Sequence, residues 1–297
     1  MEVDMEIAVL ADIHSNYVAL ETCMRFALKR GIRKFLFLGD YIGEMAYPER
    51  TMELLKEYRE EFDCTFIRGN KENYWLNYAR GGECGWREFD STTGALYYAY
   101  HRLTRRELDF FGKMPIAMKL QYGAMPTLQL CHGSPDHVSE ALTPGSERVE
   151  RLLETTEVGL ILCGHTHRQG KQEYKGKLLL NPGSVGLSIG GQGMAQFLIL
   201  HGDEGTKAWR EEFISLDYDR ERVIRELSVS GLMERAPYWC KVTEMLLTAR
   251  GRYTFPDYGH SNVLFRAMEL CREATGECNW PDIPERYWEM AYRESCG

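Results

Sequence analysis

Several features are missing from this sequence, and each absence removes a class of protein. No apolar run approaches the roughly 20 residues that a membrane-crossing helix needs, so no membrane partner is expected. No basic run is present and the net charge is −8, so a nucleic-acid polymer would be held against the overall field. A small phosphate-containing substrate meets mainly a local field and is easier to accommodate. None of the nine cysteines is spaced as C-x-x-C, and an odd number cannot all pair, so free thiols in a reducing, cytoplasmic setting are expected. Internal repeats and low-complexity tracts are also absent. Glu2, Asp4 and Glu6 precede a short apolar run at 7–11 that is too short and wrongly flanked for a secretory signal core.

What remains is ordinary globular material. With 44% hydrophobic and 27% charged residues, the 297-residue chain can bury one large α/β core and still leave a small appendage.

The apolar stretch at 7–11 reads as a strand, followed by a helical face of Leu20, Met24, Ala27 and Leu28 that Gly31 ends. A strand at 34–38, a charged periodic helix over 48–61 and a strand at 64–67 continue a β-α-β-α-β series, which implies parallel pairing. Residues 73–112 read as an inserted helical pair broken by a glycine-rich loop at 81–85. Strands return at 127–131 and 159–163 around a helix over 146–155. Segments at 172–180, 194–200 and 207–213, joined by short glycine-containing connections, imply antiparallel pairing in a second sheet or at a sheet edge. From 217 onward, Pro237, Pro256, Pro281 and Pro284 punctuate three or four helices. The expected organisation is a catalytic domain over 1–215, with its insert at about 73–112, and a helical appendage over 216–297.

The chemistry falls just after the strands. Asp12 and His14 follow the first, Asp40 the second, Asn70 the third, His132 the fourth, and His165 with His167 the fifth. In one open parallel sheet these carboxyl ends share an edge, so the groups should converge in one crevice. Two carboxylates, one amide oxygen and four imidazoles form a nitrogen and oxygen donor set without thiolate, which suits Mn, Fe, Zn or Ni better than Ca or Mg alone. Seven donors exceed what one catalytic ion takes. With Asp40 as a bridge, two divalent transition-metal ions roughly 3.5–4 Å apart would each receive four. Gly39, Gly69, Gly133 and Gly164 flank these positions and permit sharp turns there.

The ordered blocks D-x-H (Asp12, His14), G-D (Gly39-Asp40), G-N (Gly69-Asn70), H-G (His132-Gly133) and G-H-x-H (Gly164 to His167) resemble those of the calcineurin-like metallophosphoesterases, over roughly residues 5–215. The resemblance implies an α/β fold with two mixed β-sheets sandwiched between helices. It also implies one ion on Asp12, His14, Asp40 and His167 and the other on Asp40, Asn70, His132 and His165. The implied reaction is hydrolysis of a phosphate ester or phosphoanhydride by a hydroxide bridging the ions. Small bacterial phosphodiesterases and symmetrical dinucleoside-tetraphosphate hydrolases are similar in the core, and the blocks do not separate diesterase, monophosphatase and pyrophosphohydrolase. Asn16 is, by the same resemblance, a further phosphate donor. One departure stands out: many members carry a histidine after the asparagine to assist the leaving group, where this chain reads Asn70-Lys71-Glu72. Lys71 can hold a phosphoryl oxygen as a point charge or, with a lowered pKa, donate a proton.

The competing function is a non-catalytic binding scaffold that keeps the fold, as the phosphoesterase-like subunit of retromer does. Loss of ligand blocks would mark it, and here all five are intact. His101, His137, His201 and His260 read as surface or core-satisfied residues, with His137 close enough to His132 to line the pocket. Cys131 and Cys163 read as small buried strand-end residues rather than ligands. The stretch Asn181-Pro182-Gly183-Ser184 is a turn that the resemblance places beside the site. Tyr238, Trp239, Tyr253, Phe255, Tyr258, Trp280, Tyr287 and Trp288 are expected to pack helices onto the domain, with capping of the pocket and stacking on a base as the alternative. Tyr74, Trp75, Trp86 and Arg87 of the insert carry the same two readings.

Overall fold

The computed structural model describes residues 5–248 and 260–296. Glu2 and Asp4, and Tyr253, Phe255, Pro256 and Tyr258 of the C-terminal region, lie outside the described residues. The strands are β1 (Met5–Leu10), β2 (Lys34–Phe37), β3 (Asp63–Phe66), β4 (Ala117–Leu120), β5 (Leu128–Cys131), β6 (Leu160–Leu162), β7 (Gln169–Tyr174), β8 (Lys177–Pro182), β9 (Ala195–Asp203) and β10 (Ala208–Leu216). The helices are α1 (Tyr17–Lys29), α2 (Pro48–Glu61), α3 (Asn70–Ala79), α4 (Gly94–Tyr100), α5 (Arg105–Lys113), α6 (Glu147–Thr155), α7 (Arg220–Val229), α8 (Leu232–Arg235), α9 (Pro237–Thr248), α10 (His260–Thr275) and α11 (Glu285–Cys296).

The strands form two mixed five-stranded sheets, ordered β10-β9-β1-β2-β3 and β4-β5-β6-β8-β7. In the first, β1, β2 and β3 are parallel and β9 and β10 run antiparallel on the far side of β1. In the second, β5, β6 and β8 are parallel, with β4 and β7 antiparallel at the two edges. The sheets stack face to face. Ile7, Val9, Leu36 and Leu38 of the first meet Leu128, Leu130, Leu160 and Leu162 of the second in one apolar layer. Residues of the opposite parity, such as Ala8, Leu10, Phe35 and Phe37, turn outward under Leu20, Met24 and Leu55 of α1 and α2. Both faces of the central strands are therefore covered, which is why they read as unbroken apolar runs rather than alternating ones. On the outer face of the second sheet, Val149 and Leu153 of α6 cover Ile161, Cys163 and Leu179, completing four layers of helix, sheet, sheet and helix.

Local signals explain the helix starts. Asn16 Oδ1 accepts from Ala19 N at 3.1 Å to open α1, Pro48 occupies the first turn of α2, and Ser146 Oγ accepts from Val149 N at 3.4 Å to open α6.

The structure departs from the sequence expectations at five points. The strands that carry the site divide between two stacked sheets, not along one open parallel sheet. The insert holds three helices, α3 to α5, rather than a pair. The segment at 172–180 belongs to a hairpin of β7 and β8, turned at Lys175-Gly176 with φ of 50° and 76°. Strand β4 was not foreseen; its residues are only partly buried because it is a short edge strand. Among the described residues five helices, α7 to α11, follow the sheets, where the proline spacing implied three or four.

These last helices dock on the insert. Leu227, Leu232, Ala236 and Cys240 close over Ala95 and Tyr98 of α4. Trp288 is fully buried, and its Nε1 donates to Thr92 Oγ1 at 2.8 Å, while Glu285 accepts from Ser91 Oγ at 2.8 Å. Trp288→Ala removes a buried ring and strands the Thr92 hydroxyl, so it should cost about 3–5 kcal/mol and lower the thermal unfolding midpoint; an unchanged midpoint would show that this ring does not hold the C-terminal helices in place.

Candidate metal centre

Asp12 and His14 lie in the loop after β1, Asp40 in the loop after β2, and Asn70 is the first residue of α3 after β3. His132 follows β5, and His165 and His167 follow β6. Three loops of one sheet thus face two loops of the other, and the site straddles the adjoining sheet edges. The backbone there is strained: Asp12, His14, Asp40, His165 and His167 all have positive φ, between 51° and 67°. Non-glycine residues in that region cost on the order of 1–3 kcal/mol each and persist where surrounding structure over-determines them.

All seven side chains singled out as donors come together. His14 Nε2 lies 3.6 Å from Asp40 Oδ2 and 3.8 Å from Asp12 Oδ1, and His167 Nε2 lies 3.3 Å from Asp12 Oδ1. On the other side, His132 Nε2 lies 3.4 Å from Asp40 Oδ1 and 3.8 Å from Asp12 Oδ1. Asn70 Oδ1 sits between His132 Nε2 at 3.0 Å and His165 Nδ1 at 2.9 Å. Two sets, Asp12 with His14 and His167, and Asp12 with Asp40 and His132, each place their donor atoms within 4.8 Å of one another.

The donor set fits divalent ions on two observations. Asp12 Oδ1 is buried without a hydrogen-bond partner, although three imidazole nitrogens approach it. Second, His14 Nε2 and His167 Nε2 face each other at 3.0 Å. Their Nδ1 atoms are engaged elsewhere, His14 against Glu44 Oε2 and His167 with the Leu187 carbonyl at 2.8 Å. Between the two Nε2 atoms there is a place for one proton or one cation. His132 is aimed the same way, its Nδ1 donating to Leu38 O at 2.7 Å.

Charge balance agrees. Burial opposes ionisation of Asp12 and Asp40, yet facing imidazoles, His167 and His132 for Asp12 and His132 and His14 for Asp40, hold both carboxyls below their usual range. Burial likewise opposes a proton on His14, but Glu44, Asp12 and Asp40 outweigh it and raise the imidazole to about 10. Asp40 and Asp12 raise His132 to about 9 against the same penalty. Burial, with the neighbouring His132, depresses His165 to about 4. The carboxylates thus demand positive charge in a dry site, and protons meet that demand where a cation is absent.

Buried hydrogen bonds clamp the loops. The fully buried Glu72 carboxylate accepts from Asp40 N at 3.0 Å, Tyr41 N at 2.9 Å and Gly69 N at 2.8 Å, binding the loops after β2 and β3 together. The two backbones approach so closely that a Cβ on Gly69 would stand 2.6 Å from Asp40 N. Ser184 Oγ donates to Asp12 O at 2.7 Å, and Asn181 Nδ2 donates to Gly164 O at 2.7 Å, so the stretch at 181–184, expected as a turn but made of the end of β8 and the two residues after it, lies beside the site and braces two of its loops.

Other singled-out residues take different places. Asn16 is buried; its Nδ2 donates to Gly186 O at 2.9 Å and Tyr218 OH at 3.0 Å, and its Oδ1 caps α1, so both amide protons expected for phosphate are committed elsewhere. Lys71 lines the cleft with its Nζ 2.5 Å from Glu44 Oε1 and 5.7 Å from the centre of the Trp239 ring. Burial would lower its pKa, but Glu44 and Asp40 raise it, and its ammonium is paired with the Glu44 carboxylate. His137 is exposed and is not among the cleft-lining residues, whereas His260 is core-satisfied as expected, buried with its Nε2 2.8 Å from Thr243 Oγ1, and also lines the cleft with Trp239, Leu246 and Leu264. Trp239 is no stacking platform: His260 lies on its ring at 4.3 Å and Lys71 sits over it. Tyr74 lines the cleft and stacks on Trp280, while Trp75 and Trp86 are core and Arg87 pairs with Asp90 and Asp282. Cys131 and Cys163 are buried free thiols behind the site. Glu44 and Glu72 were missed; the available signal was an acid among apolar neighbours four residues after Asp40, and an acid three residues after Gly69 in capping-box spacing.

A family model for the calcineurin-like phosphoesterase superfamily domain matches residues 5–205. The chain is 26% identical over 254 residues to an uncharacterized protein of Methanocaldococcus jannaschii, covering 78% of this chain and 94% of that relative. Among solved structures, a metallophosphoesterase from Sphaerobacter thermophilus aligns with a TM-score of 0.60 at 20% identity, over 77% of this chain and 95% of the other. A hypothetical protein from Pyrococcus horikoshii OT3 aligns with a TM-score of 0.65 at 20% identity, over 77% and 94%. Both share the fold.

Glu72→Ala would leave three buried N–H groups without their acceptor, at about 1–3 kcal/mol each. Chemical denaturation should register the loss as a lower midpoint; a midpoint equal to that of the wild type would mean that water or another group replaces the carboxylate.

Proposed function

The chain belongs to the calcineurin-like phosphoesterase superfamily, and from that premise we propose that it hydrolyses a phosphate ester or phosphoanhydride of a small, nucleotide-like substrate at a centre of two divalent metal ions. The observation that carries this reading is the place of the Asp40 carboxylate between the two halves of the site, with Oδ2 3.6 Å from His14 Nε2 and Oδ1 3.4 Å from His132 Nε2. In this proposal Asp12, His14, Asp40 and His167 would hold one ion and Asp40, Asn70, His132 and His165 would hold the other, so that Asp40 would serve both. The ions would be first-row metals such as Mn, Fe, Zn or Ni, given nitrogen and oxygen donors without sulfur. When bound, such a pair supplies Lewis-acid polarisation of the phosphoryl group and an acidified water as nucleophile.

The chain's own residues do the rest. Nδ1 contacts on His14, His132 and His167 keep each Nε2 aimed inward, so the donor geometry is set before any ligand arrives. Lys71 offers a fixed positive charge to a phosphoryl oxygen at the cleft wall, and Asn16 acts from behind by holding the loop that bears His14. No histidine follows Asn70 to protonate a leaving group, so reactivity should depend on how well that group departs unaided.

Two results are expected from metal-loaded protein. Aryl phosphates and phosphoanhydrides should be cleaved faster than alkyl phosphates, and equal rates with chemistry limiting would contradict the absence of a positioned acid. Asp40→Asn should lower kcat/KM by at least about 100-fold, more than loss of an outer hydrogen-bond partner of a ligand costs. A stably folded wild-type protein that binds metal yet hydrolyses no member of a panel of aryl esters, cyclic nucleotides and dinucleoside polyphosphates would return the scaffold reading.

A further inference from the structure

Glu44 is a buried charge in contact with two residues of the proposed centre. It lies in the loop after β2 among Tyr41, Ile42, Met45 and Ala46, all buried, and is itself 5% exposed. A carboxylate survives in such surroundings only with partners, and Glu44 has two. Oε2 meets His14 Nδ1, and Oε1 accepts from Lys71 Nζ at 2.5 Å.

We propose that Glu44 is a positioning residue for the His14 half of the centre: it fixes the tautomer and orientation of His14 through Nδ1, while its other carboxylate oxygen tethers Lys71 over the cleft. The proposal rests on the two-ion reading above. Among the three imidazoles that turn Nε2 inward, His132 and His167 are steadied by main-chain carbonyls, Leu38 O and Leu187 O, and His14 alone is steadied by a carboxylate. A carboxylate is the stronger acceptor, so it pins the ring more firmly and makes Nε2 a better electron donor. The loop is shaped for this contact. A Cβ on Gly43 would stand 2.6 Å from His14 Nδ1, and Gly43 N donates to Ser15 Oγ at 3.0 Å, latching the loop to the residue after His14. Lys71 joins the other half, because its backbone N–H donates to Asp40 Oδ1 at 2.9 Å and it adjoins Asn70. One carboxylate therefore links the turn bearing His14 with the turn bearing Asn70 and Lys71.

Glu44→Gln keeps the shape but removes the negative charge that meets both His14 and Lys71. Calorimetric titration of the metal-free protein with Zn should show one of two sites weakened by about 10–100-fold, the range for losing such a partner of a ligating histidine. Lys71→Met removes the ammonium while leaving Glu44 on His14, and should weaken neither site. Should Glu44→Gln fail to fold, imidazole 15N shifts of the Zn-loaded wild-type protein decide the matter, with His14 assigned by its loss in His14→Gln. A protonated Nδ1 and a ligated Nε2 on His14 are the expected pattern. Full-strength Zn binding by a folded Glu44→Gln, or His14 ligated through Nδ1, would overturn the proposal and leave the two-ion reading standing; a wild-type protein that binds no Zn would overturn both.

Discussion

Asp12 and Asp40 put negative charge where water does not reach, and the rest of the molecule is arranged around the need to balance it. Each carboxylate is almost wholly buried, and each is answered by imidazoles delivered from loops far away in sequence. In a dry interior an uncompensated carboxylate is prohibitively costly, so the site holds either protons or cations. The positive φ angles of five donors are a second cost of the same arrangement, and the sandwich beneath meets it by fixing the loop ends rigidly.

Two stacked sheets supply that rigidity. Strands covered on both faces cannot shift without opening an apolar layer, so the loops at their carboxyl ends start from fixed points. Glu72, Ser184 and Asn181 then tie loop to loop by hydrogen bonds to main-chain groups rather than by packing alone. The C-terminal helices add Trp239, Leu246, His260 and Leu264 to the cleft, placing part of the wall beyond residues 5–205, where the family model matches. Any difference in substrate between this chain and a relative without those helices has a physical seat there.

The donors themselves were readable because each follows an apolar run, and a fully buried strand is the loudest pattern a sequence offers. Their division between two sheets was not, since parallel strands look alike whichever sheet they join. Strand β7 escaped because Gln169–Tyr174 is polar and lies at an edge, so burial left no alternation to detect. Asn16 looked like a substrate ligand by position in a motif, whereas its neighbours show an N-cap and a tether to Gly186, a contact 170 residues away that no local pattern encodes. Lys71 was ambiguous for a related reason: its protonation depends on Glu44, and nothing in the spacing of the two reveals that they meet. His260 needed the fold entirely, because only the docking of the last helices on the insert brings it to the cleft.

Two cations sharing this set of donors would be seen in anomalous diffraction from crystals grown with Mn. Two peaks roughly 3.5–4 Å apart are expected, one among Asp12, His14 and His167 and one among Asn70, His132 and His165, with the Asp40 carboxylate between them. A single peak, or none with these side chains turned away from one another, would contradict the two-ion reading.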